Sequence, residues 1–275
     1  MDFLNNSDHY DQHFLKNNDI ISTFINISNL KDNDIVVEVG PGKGIITEKI
    51  APKVKYLYCI ELDTRLKPFL DKICKKYDNV EVIYNSVLNT FIPKCTKIIT
   101  SLPYSIVEPF MNKMLKCQFN ELIMITGSKF AENVLNNEIN RLSLMVNCFF
   151  ETEKIMDISP ENFYPSPRVM STMIKLTPKI ELENDLYLFF RKMFLMRNKK
   201  IKNCLVESLI FTEFCVTQRE ARNIIESLNF SKELLETKFE VCSNEQLFEL
   251  YNDVKALYNG KNRCRISNEK SLWYS

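Results

Sequence analysis

The chain has 275 residues, enough to bury a substantial core over one or two domains. A formal charge of +1, with 26% charged residues, excludes a global basic field, so any nucleic-acid contact falls to a local patch. Nine cysteines without a Cys-x-x-Cys pair and only two histidines argue against a zinc cluster and for small buried thiols in a reducing compartment. The first residues lack a basic lead and a long apolar core, so neither a secretory signal nor a membrane span is expected, and a soluble cytoplasmic protein is.

In chain order, an arm over residues 9–18 leads into an amphipathic helix near Asp19, capped by Asn18 or Asp19, with Phe14 and Leu15 as its apolar anchor. The apolar run Ile35-Val36-Val37 reads as a first strand. It enters Glu38-Val39-Gly40-Pro41-Gly42-Lys43-Gly44, which holds three of the five glycines in the chain, and then a helix from Ile45 that ends before Pro52. An apolar strand, a glycine turn and a helix together bring backbone N–H groups close to a ligand. A second strand over 56–60 ends in Glu61-Leu62-Asp63, where a carboxylate can accept bonds from ribose hydroxyls. The combination points to a nucleoside-containing cofactor.

A helix over 64–76 and a third strand over 79–84 precede the loop Asn85-Ser86-Val87-Leu88-Asn89, where a doubly wound domain reads the adenine of its cofactor. Strand four, 97–100, runs straight into Ser101-Leu102-Pro103-Tyr104, and Pro103 stiffens that stretch so that Tyr104 presents a rigid ring. A helix over 107–117, a strand over 121–126, a helix over 128–135 and a helix running into strand six across 142–150 follow. The proline-stiffened loop 157–169 carries Phe163 and Arg168 and leads to a final alternating strand over 171–176. Tyr104 and Phe163 read either as core aromatics or as two faces that stack on an extruded purine.

Beyond Pro178 the period becomes helical, at 186–196, 201–209, 218–228, 231–239 and 245–258. The expected division is an α/β domain over 1–178, with a mainly parallel sheet of Rossmann-like class, and a small all-helical domain over 179–275. Arg191, Lys192, Arg197, Lys199, Lys200 and Lys202 cluster without an intervening acid, as either a phosphate-contact surface or a solvated helix end. The basic tail 261–265 adds to this charge.

Taken together, Asp11-Gln12-His13-Phe14-Leu15, the 37–44 turn, Ile60-Glu61-Leu62-Asp63, Leu102-Pro103-Tyr104, the run from Phe163 to Val169 and Arg197-Asn198-Lys199-Lys200 resemble the ribosomal RNA adenine N6,N6-dimethyltransferases. These are related to the erythromycin-resistance rRNA methyltransferases, and the chain looks most like the archaeal members. The resemblance implies a class I methyltransferase domain that moves methyl groups from S-adenosylmethionine, without a metal, to two adjacent adenines near the 3′ end of small-subunit rRNA. By the same resemblance Gln12, His13 and Leu15 line the methionine end of the cofactor. Gly40 and Gly42 approach it, Glu61 holds the ribose hydroxyls, Ser86 stands where the adenine is read, Leu62 and Val87 also bind the cofactor, and Ser101 borders both cofactor and target. Leu102, Pro103 and Tyr104 form the target wall and Phe163 the opposite face. Arg168 and the 191–202 cluster face rRNA in an assembling 30S-type subunit, with the enzyme a monomer.

The chain departs from the family at Ser101, where the pattern has asparagine or aspartate, and at Ser86, where it has aspartate. Two alternatives stay open, the first because of these departures and the second because methyl-transfer chemistry alone does not identify its substrate. One is a weak or inactive relative that serves as an rRNA-binding assembly factor, and the other is a methyltransferase for an adenine in another nucleic acid.

Overall fold

The computed structural model describes residues 12–179 and 184–265, with side chains up to residue 260. Asp11 and the tail side chains of 261–265 lie outside the described residues. Seven strands form one sheet: β1 (Ile35–Val39), β2 (Tyr56–Glu61), β3 (Val80–Tyr84), β4 (Lys97–Ser101), β5 (Glu121–Gly127), β6 (Phe150–Ile158) and β7 (Ser171–Pro178), in the order β3-β2-β1-β4-β5-β7-β6. The first five run parallel, and β7 lies antiparallel between β5 and β6. Strand order reverses at β1, with β2 on one side and β4 on the other, so a crevice opens at the carboxyl ends of the strands. Val39 is level with both Ile60 and Thr100, which puts Gly40, Glu61 and Ser101 at the same edge.

Several boundaries differ from expectation for local reasons. Helix α1 (Asn18–Ile27) is capped one residue earlier than expected, by Asn17, whose extended backbone lets its side-chain oxygen accept from Asp19 N at 2.9 Å and Ile20 N at 3.3 Å. Helix α2 (Thr47–Ile50) starts two residues after Ile45, because a turn closed by the Gly44 N–H on Pro41 O comes first. Thr64–Leu66 is a 3-10 turn capped by Asp63 before α3 (Lys67–Lys76), and α4 (Val107–Met114) stops short of Cys117. Helix α5 (Ser128–Leu135) falls at the expected residues. Strand β6 continues well past the apolar run, because an edge strand can carry Glu151, Glu153 and Lys154 toward solvent. Strand β7 does not alternate; Ser171 to Ile174 are all buried, so both faces of the sheet are covered along this stretch.

By contacts the described residues fall into two compact units, Met1–Asn136 with Phe150–Pro178, and Asn137–Phe149 with Lys179–Ser275. Helix α6 (Arg141–Phe149) therefore groups with the second unit, which a single cut after Pro178 misses. Arg141 accounts for this physically: its guanidinium donates to the carbonyls of Phe239, at 2.7 Å, and Cys242. The second unit continues with α7 (Asp185–Leu195), α8 (Ile201–Phe211), α9 (Gln218–Ser227), α10 (Lys232–Glu236) and α11 (Asn244–Arg265). Asn184 caps α7, Thr217 and Glu220 form a capping box on α9, and Ser231 caps α10. The core of this unit is aromatic, with Phe189 edge-on to Phe190 at 5.4 Å and to Tyr258 at 5.8 Å. None of the described helices is long and apolar enough to cross a membrane.

Candidate active site

Strand β1 is buried from Val36 to Val39 and ends where Gly40 (φ 70°) and Gly42 (φ 60°) turn the chain through left-handed geometry. A Cβ on Gly42 would stand 2.9 Å from the Phe14 ring, so both space and backbone conformation require glycine there. The Gly40 N–H donates to Ile60 O at 2.9 Å, tying the turn to β2. At the tip of β2 Glu61 is 3% exposed; its Oε2 accepts from Gly42 N at 3.1 Å and its Oε1 from Asp63 N at 2.8 Å. Glu61 also lines the adjacent cavity, and a carboxylate has about four acceptor sites, more than these two bonds use. Burial raises its pKa, against the pull of the Asp63, Gly42 and Leu62 backbone N–H groups. Also buried, Glu38 accepts from Thr47 Oγ1 at 2.7 Å and Cys59 Sγ at 3.7 Å. Burial raises the Glu38 carboxyl to about 7, outweighing the Thr47 and Cys59 bonds, and the charge of Glu61 adds a smaller push.

The cavity measures about 420 Å³ and gathers every residue that the sequence assigned to cofactor or target. One wall is the N-terminal arm. Phe14 and Leu15 pair antiparallel with Tyr164 and Phe163, and Lys16 N donates to Asn162 O at 2.9 Å. His13 Nδ1 lies 2.8 Å from Pro165 O, and the Gln12 side chain bonds the Asp63 carboxylate. Asp63 is itself held below the usual carboxylate range, chiefly by Arg65, at 2.8 Å. Phe163 is 3% exposed and belongs to the same apolar cluster as Leu15 while also lining the cavity, so it is a core aromatic and a wall at once.

A second wall is the loop after β3, where Val87 is buried; Leu62, exposed after β2, also lines the cavity. Here Ser86 Oγ accepts from Leu88 N at 3.2 Å, so its hydroxyl helps shape the loop as well as facing the cavity. The third wall is Ser101 to Tyr104. Leu102 N donates to Ile125 O at 3.1 Å, and the extended Pro103 carries the chain into the Tyr104 turn. Among the described residues Ser101 Oγ makes no hydrogen bond, which leaves it available to a ligand.

Three residues of this site were not singled out from sequence. Ser171 Oγ lies 2.7 Å from the Tyr104 hydroxyl. Gly127 ends β5 under the Tyr104 ring, where a Cβ would approach ring atoms to 3.2 Å. Its isolation in a glycine-poor chain, at a strand end, was the available signal. Lys43, inside the glycine turn, lines the cavity as well.

Arg168 is exposed on the loop before β7. In the second unit the 191–202 cluster is acid-free only along the chain. Lys199 pairs with Glu207 at 2.6 Å, and Lys200 and Lys202 both pair with Glu236, at 2.7 and 2.5 Å. Lys200 first, then Lys202, hold the Glu236 carboxyl down to about 2. Arg191 donates to Lys179 O at 3.2 Å and stacks on Phe149, Lys192 sits over Phe211, and Arg197 follows α7 with its carbonyl accepting from Glu240 N.

The donor set fits a nucleoside with a vicinal diol. A buried carboxylate has acceptor sites to spare, a turn without side chains stands beside it, and apolar Val87 and Leu102 lie close by. Among the described residues no group of three or more His, Cys, Asp or Glu is disposed to hold a metal.

The family described as Ribosomal RNA adenine dimethylase matches residues 3–233. A probable ribosomal RNA small subunit methyltransferase A of Methanococcus vannielii is 32% identical over 254 residues, covering 88% of this chain and 93% of that protein. A dimethyladenosine transferase from Plasmodium falciparum shares the fold with a TM-score of 0.61 at 23% identity, over 89% of this chain and 98% of the other. The 23S rRNA methyltransferase ErmE does so with a TM-score of 0.59 at 20% identity, over 88% and 99%. Sequence and fold agree along nearly the whole chain, which belongs to the ribosomal RNA adenine dimethylase family, enzymes that use S-adenosylmethionine to dimethylate adenine in ribosomal RNA during ribosome biogenesis.

Proposed function

We propose that this chain dimethylates two adjacent adenines near the 3′ end of small-subunit rRNA, as a cytoplasmic monomer acting on an assembling subunit. The observation that carries the reading is one cavity in which the glycine turn and Glu61 face the Ser101–Tyr104 wall. The relatives named as small-subunit methyltransferases support the choice of RNA.

The cofactor, when bound, supplies a methyl group activated by its sulfonium. Glu61 receives the ribose hydroxyls on the acceptor capacity its backbone donors leave, and Gly40 and Gly42 permit the approach that a side chain would block. Gln12, His13 and Leu15 close the arm over the methionine end, while Ser86, Val87 and Leu62 border the adenine. Tyr104 and Phe163 offer faces for the extruded target base. The exocyclic nitrogen of adenine shares its lone pair with the ring. Ser101 Oγ and the Leu102 carbonyl accept its hydrogens, which draws the nitrogen toward reacting geometry. The helical unit and Arg168 position the RNA through phosphates, and the cavity selects the base.

A second reading, an assembly factor with little transfer activity, is favoured by the side chains at Ser101 and Ser86. The Ser101 hydroxyl is short, and one lone pair of Ser86 Oγ is already used by Leu88 N. The deciding experiment incubates the purified chain with S-adenosylmethionine and immature small subunits lacking the paired modification, then maps methyl groups by mass spectrometry. Dimethyladenosine at adjacent positions is the expected result. Saturable subunit binding without transfer establishes the second reading, and methylation confined to another RNA or to DNA removes the proposed substrate.

A further inference from the structure

The loop after β3 is anchored at both ends, and the far anchor is a cation from another element. At the near end Asn85 N donates to Glu61 O at 2.9 Å. Ser86 O then accepts from the N–H groups of Asn89 and Thr90, both at 3.0 Å, and from Thr90 Oγ1 at 2.8 Å, which curls residues 86–90 into one turn. Half-buried Lys113, on α4, donates its ammonium to the carbonyls at the end of that turn, Leu88 O at 3.0 Å and Thr90 O. Charge-assisted bonds of this kind are stronger than neutral ones, and a cation suits the carbonyl end of a turn. The same helix follows the Ser101–Tyr104 wall through the 3-10 turn Tyr104–Ile106. We infer that Lys113 is a positioning residue for the base of the cofactor, holding the 86–88 stretch in register with the wall that borders the target.

This role rests on the cofactor site described above. Asn85, Ser86, Val87 and Leu88 line the cavity and Lys113 does not, so the lysine acts through the loop rather than on the ligand. Adenine offers an amine that donates and a ring nitrogen that accepts, and its deaminated form reverses both. Telling the two apart takes a donor and an acceptor held at a fixed spacing. Ser86 Oγ is drawn into the loop by Leu88 N, at 3.2 Å, so its placement follows that of the loop. A short hydroxyl and main-chain groups have no reach to spare. Their alignment with the base therefore depends on where the loop is held, and Lys113 holds it.

The test compares, by calorimetry on the full chain, the binding of S-adenosylhomocysteine with that of its deaminated form, in which an oxo group replaces the adenine amine. Wild-type protein is expected to prefer the adenine form about tenfold, the scale of one hydrogen bond kept against one lost. Lys113→Met removes most of that preference by weakening the adenine form, and Lys113→Arg, which keeps a donor for each carbonyl, retains it. Thermal melts of the ligand-free variants report on folding. If Lys113→Met does not fold, Lys113→Gln, with a neutral donor, takes its place and is read in the same way. A lower melting temperature with an unchanged preference assigns the lysine to stability alone and overturns the inference. Equal binding of both forms by the wild-type protein overturns it as well, because the loop then reads no adenine. If neither form binds the wild-type protein, the cofactor site fails and the role of Lys113 with it, a result distinct from binding that persists without discrimination.

Discussion

The Tyr104 hydroxyl and Ser171 Oγ, 67 residues apart, meet at 2.7 Å, and Gly127 gives the Tyr104 ring its floor. One end of the ring is bonded and one side is packed, so its plane is set before any base arrives. Ser171→Ala is expected to lower methyl transfer about five- to tenfold, the effect of one neutral hydrogen bond, while leaving cofactor affinity unchanged. Tyr104→Phe costs a similar factor, and the double variant costs no more than either single one. Gly127→Ala pushes the ring by overpacking and costs more than either. Single-turnover rates alongside cofactor titrations check this; additive single effects would dissociate the two hydroxyls.

At the neighbouring wall, Ser101→Asn extends the acceptor toward the target amine. Methyl transfer is expected to rise about tenfold to a hundredfold, the scale on which one acceptor acting in a transition state is felt. An unchanged rate in an active enzyme removes Ser101 as the limiting contact.

Glu61→Gln replaces an acceptor-only group with one that presents an amide N–H to a backbone N–H, either Gly42 or Asp63. Affinity for S-adenosylmethionine should fall about tenfold to a hundredfold, with little change in RNA binding. Calorimetry on the folded variant measures the first and filter binding the second.

Glu38 makes stability depend on pH. Its folded pKa is raised from 4.5 to about 7, mainly by burial. Between those values the unfolded chain has released a proton that the folded chain keeps, so stability falls as pH rises through this window and levels off above about 7. The total is on the order of 3 kcal/mol. Glu38→Gln should flatten this part of the profile and close the gap at pH 8. Urea midpoints between pH 5 and 8.5, compared for the two proteins, read the difference.

Glu236 holds Lys200 and Lys202, both at the surface. Surface pairs of this kind exchange readily, and the carboxylate also repels phosphate. Glu236→Gln is expected to tighten rRNA binding about two- to fivefold and to steepen its salt dependence by about one unit of slope for each lysine recruited. Binding isotherms over a salt series test this, and an unchanged slope would place the RNA elsewhere.

Much of the site was legible in the sequence, because some conformational demands are met by the residue itself. A turn at φ 60° selects glycine at position 42, Pro103 stiffens its own stretch, and parallel strands ending at one edge align Gly40, Glu61 and Ser101. What was not legible depends on partners distant along the chain. Lys200 and Lys202 read as an open basic run because Glu236 lies 34 residues or more away. Helix α6 reads as part of the first domain because the carbonyls that bind Arg141 come about a hundred residues later.

The sequence by itself determined the mainly parallel α/β core, the glycine turn after β1, the carboxylate at the tip of β2 and the stiff stretch that carries Tyr104, since each rests on local periodicity or on the intrinsic conformation of glycine and proline. Only the tertiary structure decided that Ser171 and Gly127 set the Tyr104 ring, that Lys113 holds the carbonyls of Leu88 and Thr90, and that the basic cluster is partly neutralised. Those are pairings between groups far apart in the chain, and their distances exist only once the strands and helices have packed.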